Sequence, residues 1–167
     1  MATKKPGLSL KGRALALLAQ REHSAPELRR KLLRHVREEV AADAGNADTA
    51  DADPSGDAAA RVEAVLEWLQ AHDYLSETRF VESRVHARVS RYGNLRIRQE
   101  LALHGLALDA EAAQALKDSE LDRAADVWRR KFGVPPADAP ERARQSRFLA
   151  QRGFSPEVIA RLMRRAG

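Results

Sequence analysis

The chain has 167 residues, enough for one compact domain or a row of small modules. Alanine and leucine make up nearly a third of it and only 5% is aromatic, so the composition predicts an all-α protein without a sheet. The absence of cysteine excludes disulfides, thiolate metal sites and cysteine nucleophiles and favours the reducing cytoplasm, and no apolar run is long enough to cross a membrane.

The net charge of +5 is unevenly distributed. Residues 41–60 (AADAGNADTADADPSGDAAA) hold five aspartates and neither lysine nor arginine, so the remainder carries about +10. Most of the basic residues are arginines, whose planar donor groups suit phosphates and carboxylates. The charge predicts a polyanion or an acidic protein surface as partner, although the codon preference of a GC-rich genome would also enrich arginine and alanine.

The first predicted module covers residues 8–75 and follows a disordered N-terminus at 1–7. Apolar residues at helical spacing predict three helices in it: Leu10–Glu22, a helix capped by Ser24, and Ala59–His72. Residues 41–60 lack large apolar side chains, so we expect a flexible acidic loop whose removal leaves the fold intact.

Two further modules are predicted, at 76–118 and 119–167. The second contains a helix capped by Ser76, a helix that begins at Gly93-Asn94 and a weaker helix from Asp109 to about Asp118. The third contains three helices: one marked by Leu121, Trp128 and Phe132, one between Pro140 and Gly153, and one that starts at Ser155-Pro156. The total is about nine helices.

An internal repeat supports this division. The segment Leu18-Ala-Gln-Arg-Glu-His-Ser24 recurs as Leu149-Ala-Gln-Arg-Gly-Phe-Ser155. Each copy joins a first helix to a second helix through a tight turn. Because such small units cannot bury their own apolar faces, we expect an elongated array of three tandem, helix-turn-helix-like modules, each of three helices.

The sequence offers no catalytic constellation. It contains no glycine-rich phosphate loop and no histidine pair at metal-binding spacing, and no nucleophile has a base nearby. We therefore expect a protein that is not an enzyme and that uses no cofactor and no metal.

Basic residues recur on the helix that follows the turn in each repeated unit and on the helix that begins at Gly93-Asn94. They flank or lie opposite the apolar residues predicted to be buried, which are Leu28, Leu32 and Val36, then Ile97 and Leu101, then Val158, Ile159, Leu162 and Met163. We interpret them as the partner-binding or DNA-binding residues: Arg29, Arg30, Lys31, Arg34, Arg37, Arg96, Arg98, Arg161, Arg164 and Arg165. Arginines on an exposed helix face are also common without any ligand. Because no asparagine or glutamine stands where a recognition helix would read bases, DNA contact would involve the phosphate backbone, weakly and without sequence specificity. The tryptophans and phenylalanines are interpreted as core residues rather than as base-stacking platforms.

Four motifs in order resemble the RecX family, the regulators of the RecA recombinase. They are Leu17-Leu-Ala-Gln-Arg-Glu-His-Ser24 with Glu27-Leu28 and Lys31-Leu32, Val65-Leu-x-x-Leu69 with Asp73-Tyr-Leu-Ser-Glu-Thr-Arg-Phe80, Tyr92-Gly93-x-x-Arg96-Ile97-x-x-Glu100-Leu101, and Phe148-Leu-Ala-Gln-Arg-Gly-Phe-Ser155 with Val158-Ile159. The acidic segment interrupts the first module and is a departure from the family pattern.

The resemblance implies a curved row of three three-helix modules that lies along the groove of a RecA filament on DNA. It implies a regulator of recombination and of the SOS response that suppresses filament extension, ATP hydrolysis and strand exchange, with no activity of its own. We expect a cytoplasmic monomer. The alternative is a module that binds DNA directly and without sequence specificity.

Overall fold

The computed structural model describes residues 8–44 and 54–166, and these residues form eight α-helices and no strand. The helices are α1 (Leu10–Gln20), α2 (Ala25–Ala44), α3 (Pro54–Ala71), α4 (Glu77–Val89), α5 (Asn94–Ala102), α6 (Ala110–Lys131), α7 (Ala139–Gln151) and α8 (Pro156–Ala166). The predicted all-α class is confirmed. The predicted disorder of residues 1–7 lies outside the described residues.

The chain divides into two compact units, Met1–Phe80 and Val81–Gly167. The division falls inside α4, a few residues after the predicted boundary at 75, and the other predicted boundary, at 118, falls inside α6. The division into three modules stays a prediction.

The core of the first unit joins α2 to α3. Leu28, Leu32 and Val36 of α2 have at most 1% of their surface exposed, and they belong to one cluster with Val62, Leu66 and Leu69 of α3 and Ala14 of α1. Each large aliphatic side chain buried in this way contributes about 1.5–3 kcal/mol to folding. The apolar stripe predicted for α2 is confirmed.

The prediction of a loop over residues 41–60 is wrong at both ends of that range. Residues 41–44 continue α2 and residues 54–60 form the start of α3, where Ala58 is buried in the core of the first unit. Alanine has the highest helix propensity, and proline suits the first position of a helix, so these ends extend the two helices. The rest of the predicted loop, residues 45–53, lies outside the described residues.

The core of the second unit joins α6, α7 and α8. Val158, Ile159, Leu162 and Met163, the apolar stripe predicted for the last helix, are buried against α6 residues such as Trp128. The Trp128 Nε1–H donates a 2.7 Å hydrogen bond to Oε1 of the buried Gln145 in α7, so the indole is satisfied inside the core.

The two helices predicted between Asp109 and Phe132 are one continuous helix, α6. The predicted break near Asp118 is wrong because neither glycine nor proline stands there. The Ser119 hydroxyl also donates 2.9 Å back to the Ala115 carbonyl, a bond that serine can form within a continuous helix because a carbonyl oxygen accepts two hydrogen bonds.

The predicted N-caps Ser24, Ser76 and Asp109 are confirmed, and Ser155, predicted only as the start of the last helix, caps α8 in the same way. In each case a side-chain oxygen accepts a hydrogen bond from a backbone N–H three residues later. The pairs are Ser24 with Glu27, Ser76 with Arg79, Asp109 with Ala112, and Ser155 with Val158.

Candidate functional site

Three of the predicted binding residues lie on the solvent face of α2. Arg30, Arg34 and Arg37 are exposed, and none of them forms an ion pair or hydrogen bond with another described side chain. Arg34 also lines a groove of 340 Å³ together with Arg13 of α1. The helix therefore presents a row of cations that form no ion pair with a described residue, although Glu38 lines the same groove as Arg34.

Arg29 is held by a contact within the fold. Its Nε and Nη2 donate to the two carboxylate oxygens of Glu63 in α3, at 2.5 and 2.8 Å. The hydrogen bond raises the pKa of Arg29 and lowers that of Glu63. This bidentate ion pair joins α2 to α3, so Arg29 contributes to the fold of the first unit and is less available to a ligand.

Lys31 belongs to a partly buried cluster at the start of α2. The His23 side chain is only 1% exposed, its Nδ1 lies 2.9 Å from the Arg21 carbonyl and its Nε2 lies 3.0 Å from Lys31 Nζ. The carbonyl can only accept, so Nδ1 carries the proton and Nε2 accepts a hydrogen bond from Lys31. Burial lowers the pKa of His23, with the charges of Arg21 and Lys31 acting in the same direction.

Glu27 completes this cluster with an ion pair to Arg21 and a 3.6 Å approach to Lys31. Burial raises the pKa of its carboxyl, but the hydrogen bond from Arg21 and the nearby positive charges outweigh burial, so the net shift is downward. Lys31 therefore faces an ionised carboxylate and a neutral imidazole.

On α5 the two predicted residues differ in their surroundings. Arg96 lies 3.5 Å from a Glu100 oxygen, and its guanidinium carbon is 4.6 Å from the centroid of the Tyr92 ring. Arg98 is exposed and contacts no described acidic residue. Of the two, Arg98 is the free cation.

All three residues predicted on α8 are exposed. Arg161, Arg164 and Arg165 lie opposite the buried stripe of this helix and form no ion pair with another described residue. Arg164 and Arg165 are in the last turn, where a positive charge is favoured by the helix dipole.

The structure brings the start of α5 and the start of α8 together. Gly93 N–H donates 2.9 Å to the Arg152 carbonyl, and Leu95 N–H donates 3.0 Å to the Gly153 carbonyl. A Cβ atom at Gly93 would lie 2.2 Å from the Gly153 oxygen, so only glycine permits this approach of the two turns.

Glu120 of α6 fixes the same junction from inside. Its Oε1 accepts from Asn94 N–H at 3.1 Å and from Ser155 N–H at 3.2 Å, and its Oε2 accepts from the Ser155 hydroxyl at 3.2 Å. The side chain of Glu120 is buried. A single carboxylate thus meets the positive ends of two helix dipoles.

Arg123, one turn after Glu120, holds the turn before α5 in place through hydrogen bonds. Its guanidinium donates to the Tyr92 and Leu116 carbonyls, each at 2.9 Å, and to Asn94 Oδ1 at 2.5 Å. Burial lowers its pKa while the charge of Glu120 raises it. Arg123 is thus a structural cation.

Of the ten predicted residues, seven point to solvent without a described counter-charge and three are engaged within the fold. The engaged ones are Arg29, Lys31 and Arg96. The structure groups α5 with α8 in the second unit and places α2 in the first. The continuous basic face across all three modules stays a prediction.

The roles of Glu120, Arg123 and Asn94 in this junction were not predicted from the sequence. One signal for Glu120 was its place on the inward stripe of α6, between Leu116 and Ala124, where a charged residue is unusual.

The described helices include none that is long and apolar enough to span a membrane. Within residues 8–44 and 54–166, no three potential metal ligands of the histidine, aspartate and glutamate type come together.

Two family models match the chain. Residues 76–116 match the second three-helix domain of RecX, and residues 118–163 match the third. The first match covers α4, α5 and the start of α6, and the second covers the rest of α6 from residue 118, α7 and most of α8.

Curated relatives match nearly the whole chain, and each is named regulatory protein RecX. The relative from Leptothrix cholodnii is 49% identical over 99% of this chain and 94% of its own length. The relative from Ralstonia nicotianae is 47% identical over 99% and 93%, and one from Pseudomonas putida is 41% identical over 93% and 90%. With identities this high over nearly full length, the chain belongs to the RecX family of regulatory proteins.

Proposed function

We propose that this protein binds the RecA filament on DNA and inhibits filament extension, ATP hydrolysis and strand exchange, and that it thereby regulates recombination and the SOS response. The observation that carries the proposal is the set of exposed arginines on α2, α5 and α8 without a described counter-charge. Such cations suit the acidic surfaces of a protein filament and the phosphates inside it. Membership of the RecX family supports RecA as the partner.

The test is the rate of ATP hydrolysis by RecA on single-stranded DNA with the full chain added at near-stoichiometric amounts. Wild-type protein should inhibit it. The double variant Arg30→Glu, Arg34→Glu should need about tenfold more protein for the same inhibition, since two attractive charges become repulsive.

The matched control is Arg142→Glu with Arg147→Glu, which makes the same charge change at two exposed positions of α7. It should inhibit like wild type. Circular dichroism should show equal helicity for all three proteins. Absence of inhibition by wild type would reject the proposal, and equal loss in both variants would reject the α2 face.

The second candidate is direct DNA binding without sequence specificity. It is favoured by the net charge of about +10 outside residues 41–60. Its signature is tight binding to bare DNA with a steep salt dependence, about −0.9 in log–log slope per phosphate neutralised. Weak binding to bare DNA beside tight binding to RecA–DNA favours the first candidate.

The proposal includes a non-catalytic, monomeric protein in the cytoplasm. Support comes from the family, which is one of regulatory proteins, and from the absence of cysteine. Light scattering of the purified chain should give the mass of a single copy.

A further inference from the structure

A basic cleft in the second unit lies outside the residues that the sequence singled out. It has a volume of 460 Å³ and is bounded by the turn after α4, the end of α6 and the end of α7. Its charged lining residues are Arg91, Arg130, Lys131 and Arg152. Of the described residues that line it, none is acidic.

The cations of the cleft are positioned without being neutralised. Arg130 Nη2 donates 2.7 Å to the Ser90 carbonyl, and Arg152 Nη1 donates 3.4 Å to the Arg91 carbonyl. These carbonyl oxygens orient the guanidinium groups but carry no charge to cancel theirs. Asp126, one turn before Arg130 on α6, forms its ion pair with Arg129 instead.

One donor in the cleft has no partner. Arg152 Nε is buried, and among the described residues no hydrogen-bond acceptor meets it. A buried donor without an acceptor is unfavourable, and an anion reaches this one only if the Arg152 side chain shifts toward the cleft.

The aromatic residues of the cleft are already covered. The Arg152 guanidinium carbon lies 4.6 Å from the Phe148 ring centroid and 6.0 Å from that of Tyr92, and Val127 is buried. Each ring thus already packs against a guanidinium group. The charged residues of the lining are all cations, so the cleft suits an anionic ligand.

We propose that this cleft binds successive phosphate groups of a single nucleic-acid strand through Arg91, Arg130, Lys131 and Arg152. Several separate cations exceed what one phosphate needs, whereas a strand presents a charge at every nucleotide. Contact with the backbone alone makes the binding independent of base sequence. The inference gives a site to the second candidate function, direct nucleic-acid binding, and rests on it rather than on the RecA proposal, because it concerns the chain and nucleic acid only.

The test measures the dissociation constant of the full chain for a fluorescent single-stranded oligonucleotide over a range of salt concentrations, without RecA. Arg91 and Lys131 are exposed and form no ion pair with another described residue, so Arg91→Gln with Lys131→Gln should leave the fold intact. We expect binding to weaken about tenfold and the log–log salt slope to become shallower by about 1.4, since each contact to a single strand contributes about 0.7.

The matched control is Arg142→Gln with Arg147→Gln, which removes the same charge from α7 outside the cleft. It should change the dissociation constant far less. Equal weakening in both double variants would overturn the proposal, because it would indicate general attraction by net charge.

Two competitors distinguish the source of the anion. Unlabelled oligonucleotide should displace the probe, whereas polyglutamate at equal charge concentration and inorganic pyrophosphate should not. Displacement by polyglutamate that is lost in Arg91→Gln with Lys131→Gln would assign the cleft to an acidic peptide, and tight binding of pyrophosphate would assign it to a free phosphate compound. Either result would overturn the proposal. Because RecA is absent, none of these outcomes depends on inhibition of ATP hydrolysis.

Discussion

His23 is a buried histidine whose burial disfavours the protonated form. Its pKa in the folded chain is below its ordinary value of 6.5, chiefly because of burial. The unfolded chain therefore takes up a proton that the folded chain resists, so stability falls as the pH drops below about 6.5. Glu27, whose pKa is also lowered, adds a second loss of stability below its ordinary value of 4.5.

The residue-scale prediction concerns this pH dependence. Wild-type protein should lose free energy of unfolding between pH 7 and pH 5, and His23→Gln should lose less over the same interval while being about 1–3 kcal/mol less stable at pH 7. Urea denaturation at both pH values measures the difference. His86→Gln, at an exposed position of α4, is the control and should keep the wild-type difference. If His23→Gln lost as much free energy of unfolding between pH 7 and pH 5 as wild type, His23 would not be the group responsible for this pH dependence.

The contact between the turns before α5 and α8 is the feature that matters at the scale of elements. Gly153 has a φ of 80°, and a Cβ there would lie 2.5 Å from the Arg96 Cβ and 2.6 Å from the Arg96 nitrogen. Gly105, after α5, has nearly the same backbone conformation, with a φ of 72°, but an added Cβ would meet nothing within 4 Å. Alanine substitutions at these two glycines therefore distinguish the cost of backbone strain from the cost of disturbed packing.

We expect Gly105→Ala to cost about 1–2 kcal/mol, the penalty of a left-handed conformation. Gly153→Ala should cost that amount plus about 1–3 kcal/mol, because the methyl group forces the two turns apart. Thermal or urea denaturation of the two variants gives the comparison. Equal costs would mean that the turns do not need their close approach.

Sequence patterns predicted the elements better than they predicted the junctions. The inward residues of α8 follow from helical periodicity because α8 is a short amphipathic helix with one buried face. The continuity of α6 was missed because Ser119 and Asp118 resemble a break, whereas serine can bond within the helix. The contacts of Glu120 with Asn94 and Ser155 span 26 and 35 residues, and no local pattern encodes pairings of that separation.

Only part of the candidate site, likewise, could be predicted from the sequence. That Arg30, Arg34 and Arg37 face solvent follows from their spacing opposite Leu28 and Leu32. That Arg29 is paired with Glu63 could not be predicted, because the partner lies 34 residues away on another helix. The basic cleft was not predicted either, because its cations come from three separate parts of the chain.

For the whole molecule, the acidic segment is bounded by helices that contribute to the core of the first unit. Deletion of residues 41–60 would remove the end of α2, the start of α3 and the buried Ala58. We therefore expect that deletion to lower the free energy of unfolding by about 1–3 kcal/mol, contrary to the expectation from the sequence alone.

A glycine-serine segment of equal length in place of residues 45–53 is the control. It removes Asp48, Asp51 and Asp53 but keeps every described helix, so stability should stay within about 0.5 kcal/mol of wild type. Urea denaturation followed by circular dichroism measures both variants. If the full deletion were as stable as the replacement, the helical ends would be dispensable.

The main-chain hydrogen bonds between Gly93 and Arg152 and between Leu95 and Gly153 have a consequence for binding. Because these main-chain bonds and the buried Glu120 set the spacing of α5 and α8, Arg98 and Arg161 lie on helices that are already fixed before any ligand binds. Association then loses less conformational entropy than it would with independently moving helices. The second unit is in this sense preorganised, and its affinity should depend on the rigidity of two glycine turns that need not touch the ligand.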